Sequence, residues 1–426
     1  MVIRSPQPEL LAKMSSVEPL LNGIAVFILA TIFLFWDASR AVFVLLSLAA
    51  LGFLIRYRPQ LPREQRFYSW PIIAYVGATC LALAYDGFPD RGANILVSRF
   101  FLLLLAIPVA SLFYASYDAN RNPWSKFLVG AIVLGGLALV DILILGKYRA
   151  GAGHNEAAFG FHALAMTSVI LASYHRFNRI RFGRIYFLLG LFMGICAMFL
   201  SGTRSSWLAG IGVLIVVVIF YLDRYPLYKR ILVSIVLIAS ISVVGMSIPL
   251  VQQRVDNMIQ IMTPLLKGED LTDLDSLSAR LIGWKAGWRM GKSEIWLGIG
   301  PGNVKRTLRA YGREYPELKG AETLNHIHNQ FLQTFAMSGI IGLCSLMTLV
   351  LCHLWIFTKY LGRHYDNEIR SLALGGFLLL VAYLIYSFSA VPFYGKQYML
   401  MYAFSSATIW GSLLGALRES KPKTDE

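Results

Sequence analysis

Long apolar runs broken by short polar stretches set the plan of this chain. A membrane-spanning helix needs about 20 mostly apolar residues. About twelve such runs can be read, near residues 20–36, 41–56, 68–85, 97–115, 126–146, 158–175, 184–201, 205–222, 231–249, 335–359, 371–390 and 396–417. The pattern predicts an all-α polytopic membrane protein. Transmembrane helices 1–9 fall within residues 1–249, a helical loop within 250–327, and transmembrane helices 10–12 with a tail within 328–426. No internal repeat stands out. One large loop far off centre argues against an inverted-repeat transporter.

Composition agrees. Of 426 residues, 56% are hydrophobic and 15% charged, where a soluble domain is nearer about 25% charged. The first nineteen residues are polar and mixed in charge. They lack the pattern of a cleavable signal, so the first apolar run is expected to stay as an anchor. Cys80, Cys196, Cys344 and Cys352 sit inside apolar runs without metal-ligand spacing, which implies packing.

The formal charge of +15 would suggest nucleic acid in a soluble protein. Here it fits loops facing the cytoplasm, which collect Lys and Arg. With the N-terminus inside, roughly 21 cations lie on cytoplasmic loops and about seven on short outer loops. That bias puts both termini inside and the long loop outside.

The loop is patterned. Val251–Met262 reads as an amphipathic helix ending at Thr263-Pro264. A second helix is expected from Ser276 or Ser278 to about Met290. Arg280, Trp284, Gly287 and Trp288 form one stripe of it, predicted to face inward, while Lys285, Arg289 and Lys292 form a solvated one. Gly287 would let another element approach closely. An inward arginine needs an anion: Asp273, Asp275 or an anionic ligand. GIGPGN (Gly298–Asn303) reads as a tight turn, or as backbone that a phosphate or sugar can approach. Lys305–Lys319 is basic and contains tyrosine, which suits a wet surface or an acidic glycolipid. The loop ends in NHIHNQFLQ, crowding His326, His328, Asn329 and Gln333 at the mouth of a spanning helix. A neutral imidazole there can take a proton from a hydroxyl near pH 7. Two histidines with no fixed third ligand make a weak metal set.

On the same face, SGTRSSW (Ser201–Trp207) pins Arg204 in a tight hairpin, where it either snorkels or grips phosphate with its fork. GAGHNEAAFGFH (Gly151–His162) adds His154, Asn155, Glu156 and His162. Asp141 is not expected to face lipid.

SGTRSSWLAG, SARLIGWKAG…GIGPGN and HNQFLQ, in that order, resemble the O-antigen ligase family, bacterial membrane glycosyltransferases related to O-antigen polymerases. The resemblance implies a helical fold of the lipid-linked-sugar glycosyltransferase kind (GT-C-like). It implies transfer of a glycan from undecaprenyl pyrophosphate to lipid A–core oligosaccharide, at the periplasmic side of the inner membrane, with no cofactor, metal or nucleic acid. By motif match, Arg204 and Arg280 would hold the donor pyrophosphate and His328 would serve the acceptor hydroxyl. The extra His326 leaves two candidates for the base. Asn329, Gln333, Asn303 and Asn155 are further site candidates. The motifs leave open a polymerase joining lipid-linked repeats, an oligosaccharyltransferase acting on protein, and a transporter or flippase. Nothing in the sequence indicates an oligomeric state.

Overall fold

The computed structural model describes residues 8–32, 34–118, 123–223, 225–247, 249–266 and 276–420. Among them there is no strand. The helices are α1 (Pro8–Thr31), α2 (Trp36–Tyr57), α3 (Gln65–Tyr85), α4 (Asp90–Ser116), α5 (Ser125–Ile144), α6 (Glu156–Ala172), α7 (Gly183–Leu200), α8 (Arg204–Tyr221), α9 (Leu227–Met246), α10 (Pro249–Leu266), α11 (Ser276–Ser293), α12 (Val304–Glu314), α13 (Gln330–Thr358), α14 (Asn367–Tyr386) and α15 (Lys396–Glu419). Short 3₁₀ turns at Pro316–Leu318 and Ala321–Thr323 follow α12.

Among the described residues each of the twelve predicted runs coincides with a helix. Among the described residues nine helices are long and apolar enough to cross a membrane: α2 to α5, α7, α8 and α13 to α15. The protein is therefore a polytopic helical membrane protein. The apolar part of α1 (Pro19–Thr31) and α6 are shorter. Helix α9 packs on α8 and α10 and turns Ile231, Leu232, Ile235 and Val236 outward. In the loop, α10 continues unbroken through Thr263 and Pro264, where a break was expected, and carries on to Leu266; α11 covers Ser276–Ser293.

Helix α15 is the axis. It is buried almost continuously from Met399 to Ala416, against α4 on one side and α14 on another. Its polar groups are answered inside the bundle. His353 of α13 lies between the Tyr402 hydroxyl (2.6 Å) and the Tyr68 carbonyl (2.9 Å), Tyr68 pairs with Ser406 at 2.9 Å, and Trp410 Nε1 donates to Gln65 at 3.0 Å. In lipid an unanswered polar group costs several kcal/mol, so these bonds fix the register of α3, α13 and α15. The periphery is apolar, with Leu45, Leu48, Ile185, Leu188, Phe192 and Leu208 exposed as lipid contact requires.

Helix α13 is broken at Gly339, whose φ of 61° and ψ of −159° are not helical. The chain after α11 is wedged into this break. Ile299 N donates to Ala336 O (2.9 Å) and Ile340 N to Ile295 O (2.7 Å). Gly298, at φ +68°, lies so close that a Cβ would sit 2.6 Å from Ala336 O. Backbone groups freed by a broken helix need other partners, and here the wedge supplies them. The glycine-rich turn is thus a structural seat.

Candidate active site

The histidine segment crosses α11 where that helix has no side chains. A Cβ on Gly283 would stand 2.7 Å from the Ile327 carbonyl, and one on Gly287 2.7 Å from the Ile327 side chain. Ile327 is fully buried there. Trp284 Nε1 donates to His328 O (3.3 Å), and Ile327 N donates to Gln333 Oε1 (3.0 Å). Asn329 caps α13, its Oδ1 accepting from Phe331 N (3.0 Å) and Leu332 N (3.1 Å), while its Nδ2 donates to Phe388 O (3.3 Å). Gln330 ties the same end to the α14–α15 connection, donating from its backbone N to Ser387 O and accepting from Phe393 N, both at 2.8 Å. The close approach to Gly287 expected from the sequence is realised, and Gly283 extends it.

Held at both ends, the segment presents two imidazoles with ring centroids 4.1 Å apart. His328 has φ +59°, in the left-handed region, which costs a residue with a Cβ roughly 1–2 kcal/mol. The His328 amide donates to His326 Nδ1 (3.3 Å). That bond occupies the Nδ1 lone pair, so neutral His326 carries its proton on Nε2. Neither ring nitrogen of His328 makes a hydrogen bond among the described residues. Burial, then the charges of Arg280 and Arg99, push His326 down to about 4. Burial, then His326 and Arg280, push His328 down to about 3. Both rings are neutral at physiological pH.

Arg280 is half-buried on α11, with Nε donating to Ser389 O (3.4 Å). Its charge and that of Arg149 both reach the Tyr386 hydroxyl, which donates to Ala157 O (3.0 Å). Arg149 Nε in turn donates to Ser201 O (2.8 Å) and its Nη2 to Thr203 Oγ1 (3.4 Å) in the hairpin, and Thr203 Oγ1 donates to Glu156 O (3.1 Å). Arg204 is the first residue of α8 at that hairpin and is half-buried. So Arg280 and both histidines act on one another electrostatically, and Arg149 is bonded to the turn that carries Arg204. Arg149 pairs with Glu156 at 3.8 Å. Burial lowers its pKa, as does the charge of Arg254 on α10, whose Nε is buried with no partner among the described residues. Nothing local in the sequence marks Arg149 as an arginine that ties two loops.

Other candidates have structural duties. Asn155 caps α6, accepting from Ala158 N at 3.0 Å. Asn303 Nδ2 donates to both Asp86 carboxylate oxygens (2.9 and 2.8 Å) and to Ile299 O (2.8 Å). His162 is fully buried between the Ala158 and Gln397 carbonyls. Asp141 is buried, as expected, and takes Lys147 Nζ (2.5 Å), Gly151 N (2.9 Å) and Ala152 N (2.6 Å). Gln333 keeps a buried Nε2 donor with no partner among the described residues. Trp288, placed on the inward stripe by spacing, is half-exposed because Phe335 takes only one of its flanks. Asp273 and Asp275, the expected partners of Arg280, lie outside the described residues. No group of three His, Cys, Asp or Glu that could hold a metal occurs among the described residues.

The family described as O-antigen ligase matches residues 189–347. This stretch holds the hairpin, α11, the wedge, the histidine segment and the start of α13. Across this stretch the chain is similar to the O-antigen ligase family. It is also 21% identical over 289 residues to an uncharacterized protein of Haemophilus influenzae, covering 67% of this chain and 71% of that one. The O-antigen ligase match supports a glycosyltransferase-type enzyme with a ligase- or polymerase-type role in lipopolysaccharide synthesis, working on lipid-linked glycan in a membrane.

Proposed function

We propose that this protein is an O-antigen ligase of the bacterial inner membrane, with its site on the periplasmic side. It would move glycan from undecaprenyl pyrophosphate to a hydroxyl of lipid A–core oligosaccharide. The observation that carries the reading is a neutral His328 imidazole with both ring nitrogens open, beside Arg280 in a cationic, partly buried site. The acceptor hydroxyl would attack the anomeric carbon on the face opposite the leaving group. The new C–O bond forms as the bond to the pyrophosphate oxygen breaks. That oxygen keeps the electron pair, and the hydroxyl proton passes to His328. One displacement inverts the anomeric centre.

Arg280 and Arg204 would hold the pyrophosphate as charge builds on it, which suits fixed guanidiniums in a site of reduced water. His326 fits the base role less well, since its Nδ1 lone pair already serves the His328 amide. Its Nε2–H is free to donate to an oxygen of either substrate. The donor would also correct the basicity of His328. Its two negative charges oppose the cations that depress the ring, raising the ring's pKa toward working pH once donor is bound.

The test is transfer by purified protein with defined lipid-linked glycan and lipid A–core. Product that needs lipid A–core, lost in His328→Ala, supports the reading. Products of growing repeat number without lipid A–core would replace it with polymerase activity, and neither product would overturn it.

A further inference from the structure

We propose that α12 is a docking strip for the phosphate groups of the acceptor glycolipid; this rests on the transferase reading above. Lys305, Arg306, Arg309 and Arg313 lie on α12. At 100° per residue they fall within about 100° of arc. The opposite face carries Val304 and Leu308, both buried. Lys305 is half-exposed and the three arginines are exposed. None of the four makes an ion pair, hydrogen bond or ring contact among the described residues. Arg289 of α11, by contrast, is already engaged, pairing with Glu317 at 3.2 Å and stacking on Tyr315 at 3.5 Å.

Two placements make this strip more than a wetted surface. The first is the bilayer. Trp288 on α11 and Ile295 and Trp296 in the wedge that follows it are 51%, 53% and 71% exposed. Exposed tryptophans beside a spanning helix suit the headgroup level, and α12 packs on the same helix α11 that carries Trp288. The second is the site. Gly312 of α12 packs against Glu322, and His326 follows four residues later, at most about 14 Å along the chain. A lipid held by its phosphates at α12 could therefore present a sugar a few residues long to His328. Four unpaired cations match a molecule with several phosphates better than a neutral one.

The test measures binding apart from turnover. Full-length His328→Ala protein is placed in nanodiscs of neutral phospholipid and titrated with fluorescent lipid A–core, either phosphorylated or enzymatically dephosphorylated. A second protein adds Lys305→Gln, Arg306→Gln, Arg309→Gln and Arg313→Gln. Removing phosphate should weaken binding at least tenfold in the first protein and change little in the second. Equal affinity of both proteins for the phosphorylated lipid would overturn the strip. Equal competition by phosphatidylglycerol would overturn its assignment to the acceptor. Transfer by the wild type is scored separately, so failure of the transferase reading is seen apart from failure of the strip.

Discussion

The Ile327 carbonyl lies against the bare Cα of Gly283, where a Cβ would stand 2.7 Å from the oxygen. At Gly287 the same residue is met through its side chain, also at 2.7 Å. A side chain can turn away and a backbone carbonyl held between bonds cannot. Gly283→Ala should therefore displace the histidine segment and cut transfer about tenfold or more, as small misplacements at a reacting centre do. Gly287→Ala should cost under about threefold, since Ile327 can repack. Initial rates of both variants, at matched yield from the membrane, check this ordering.

His328→Ala should lower transfer by about 10² to 10⁴, the usual worth of a positioned base. His326→Gln should lose less, because glutamine can still offer an N–H donor. A larger loss at His326 would exchange the two assignments.

The pH dependence has two parts. In the free protein His328 and His326 titrate near 3 and 4, so kcat/KM should show no acid limb near 6.5. Bound donor raises the ring, so the acid limb of kcat should lie at higher pH than that of kcat/KM. Stability runs with the same shifts. Both folded values lie below the unfolded value of about 6.5. Between them the unfolded chain holds protons that the folded chain excludes. Stability is thus complete above pH 6.5 and falls as pH drops toward 4. Thermal melts should show wild type losing more melting temperature between pH 7.5 and 5 than the His326→Gln, His328→Gln double variant, which has no imidazoles there to titrate.

Arg204→Lys and Arg280→Lys keep charge and lose the fork. If each guanidinium grips two oxygens of the pyrophosphate, kcat/KM for donor should fall tenfold or more in both. Asn303→Ala should act elsewhere. It removes both bonds to the Asp86 carboxylate and should cost about 1–3 kcal/mol of stability, read as a lower melting temperature.

Much of this was legible in the chain. Twelve apolar runs became helices because burial of backbone polar groups in lipid leaves helices as the available solution. The stripe with Arg280 and Gly287 was legible because helical spacing puts three- and four-residue neighbours on one face. Which residues would meet across the bundle was not. Arg149 joins two loops across 52 positions, and Asn155, Asn303 and His162 spend their polar atoms on backbone or carboxylate partners that only the folded chain supplies. The break at Gly339 was hidden too, since one glycine in an apolar run reads as ordinary packing.

The φ of +59° at His328 has a bearing on how this protein can be altered. Glycine or asparagine would occupy that backbone with less strain. Chains selected only for thermal endurance should therefore drift toward those residues at position 328, becoming hardier and inert together. The imidazole is held where the backbone resists it, so here durability and chemistry pull in opposite directions.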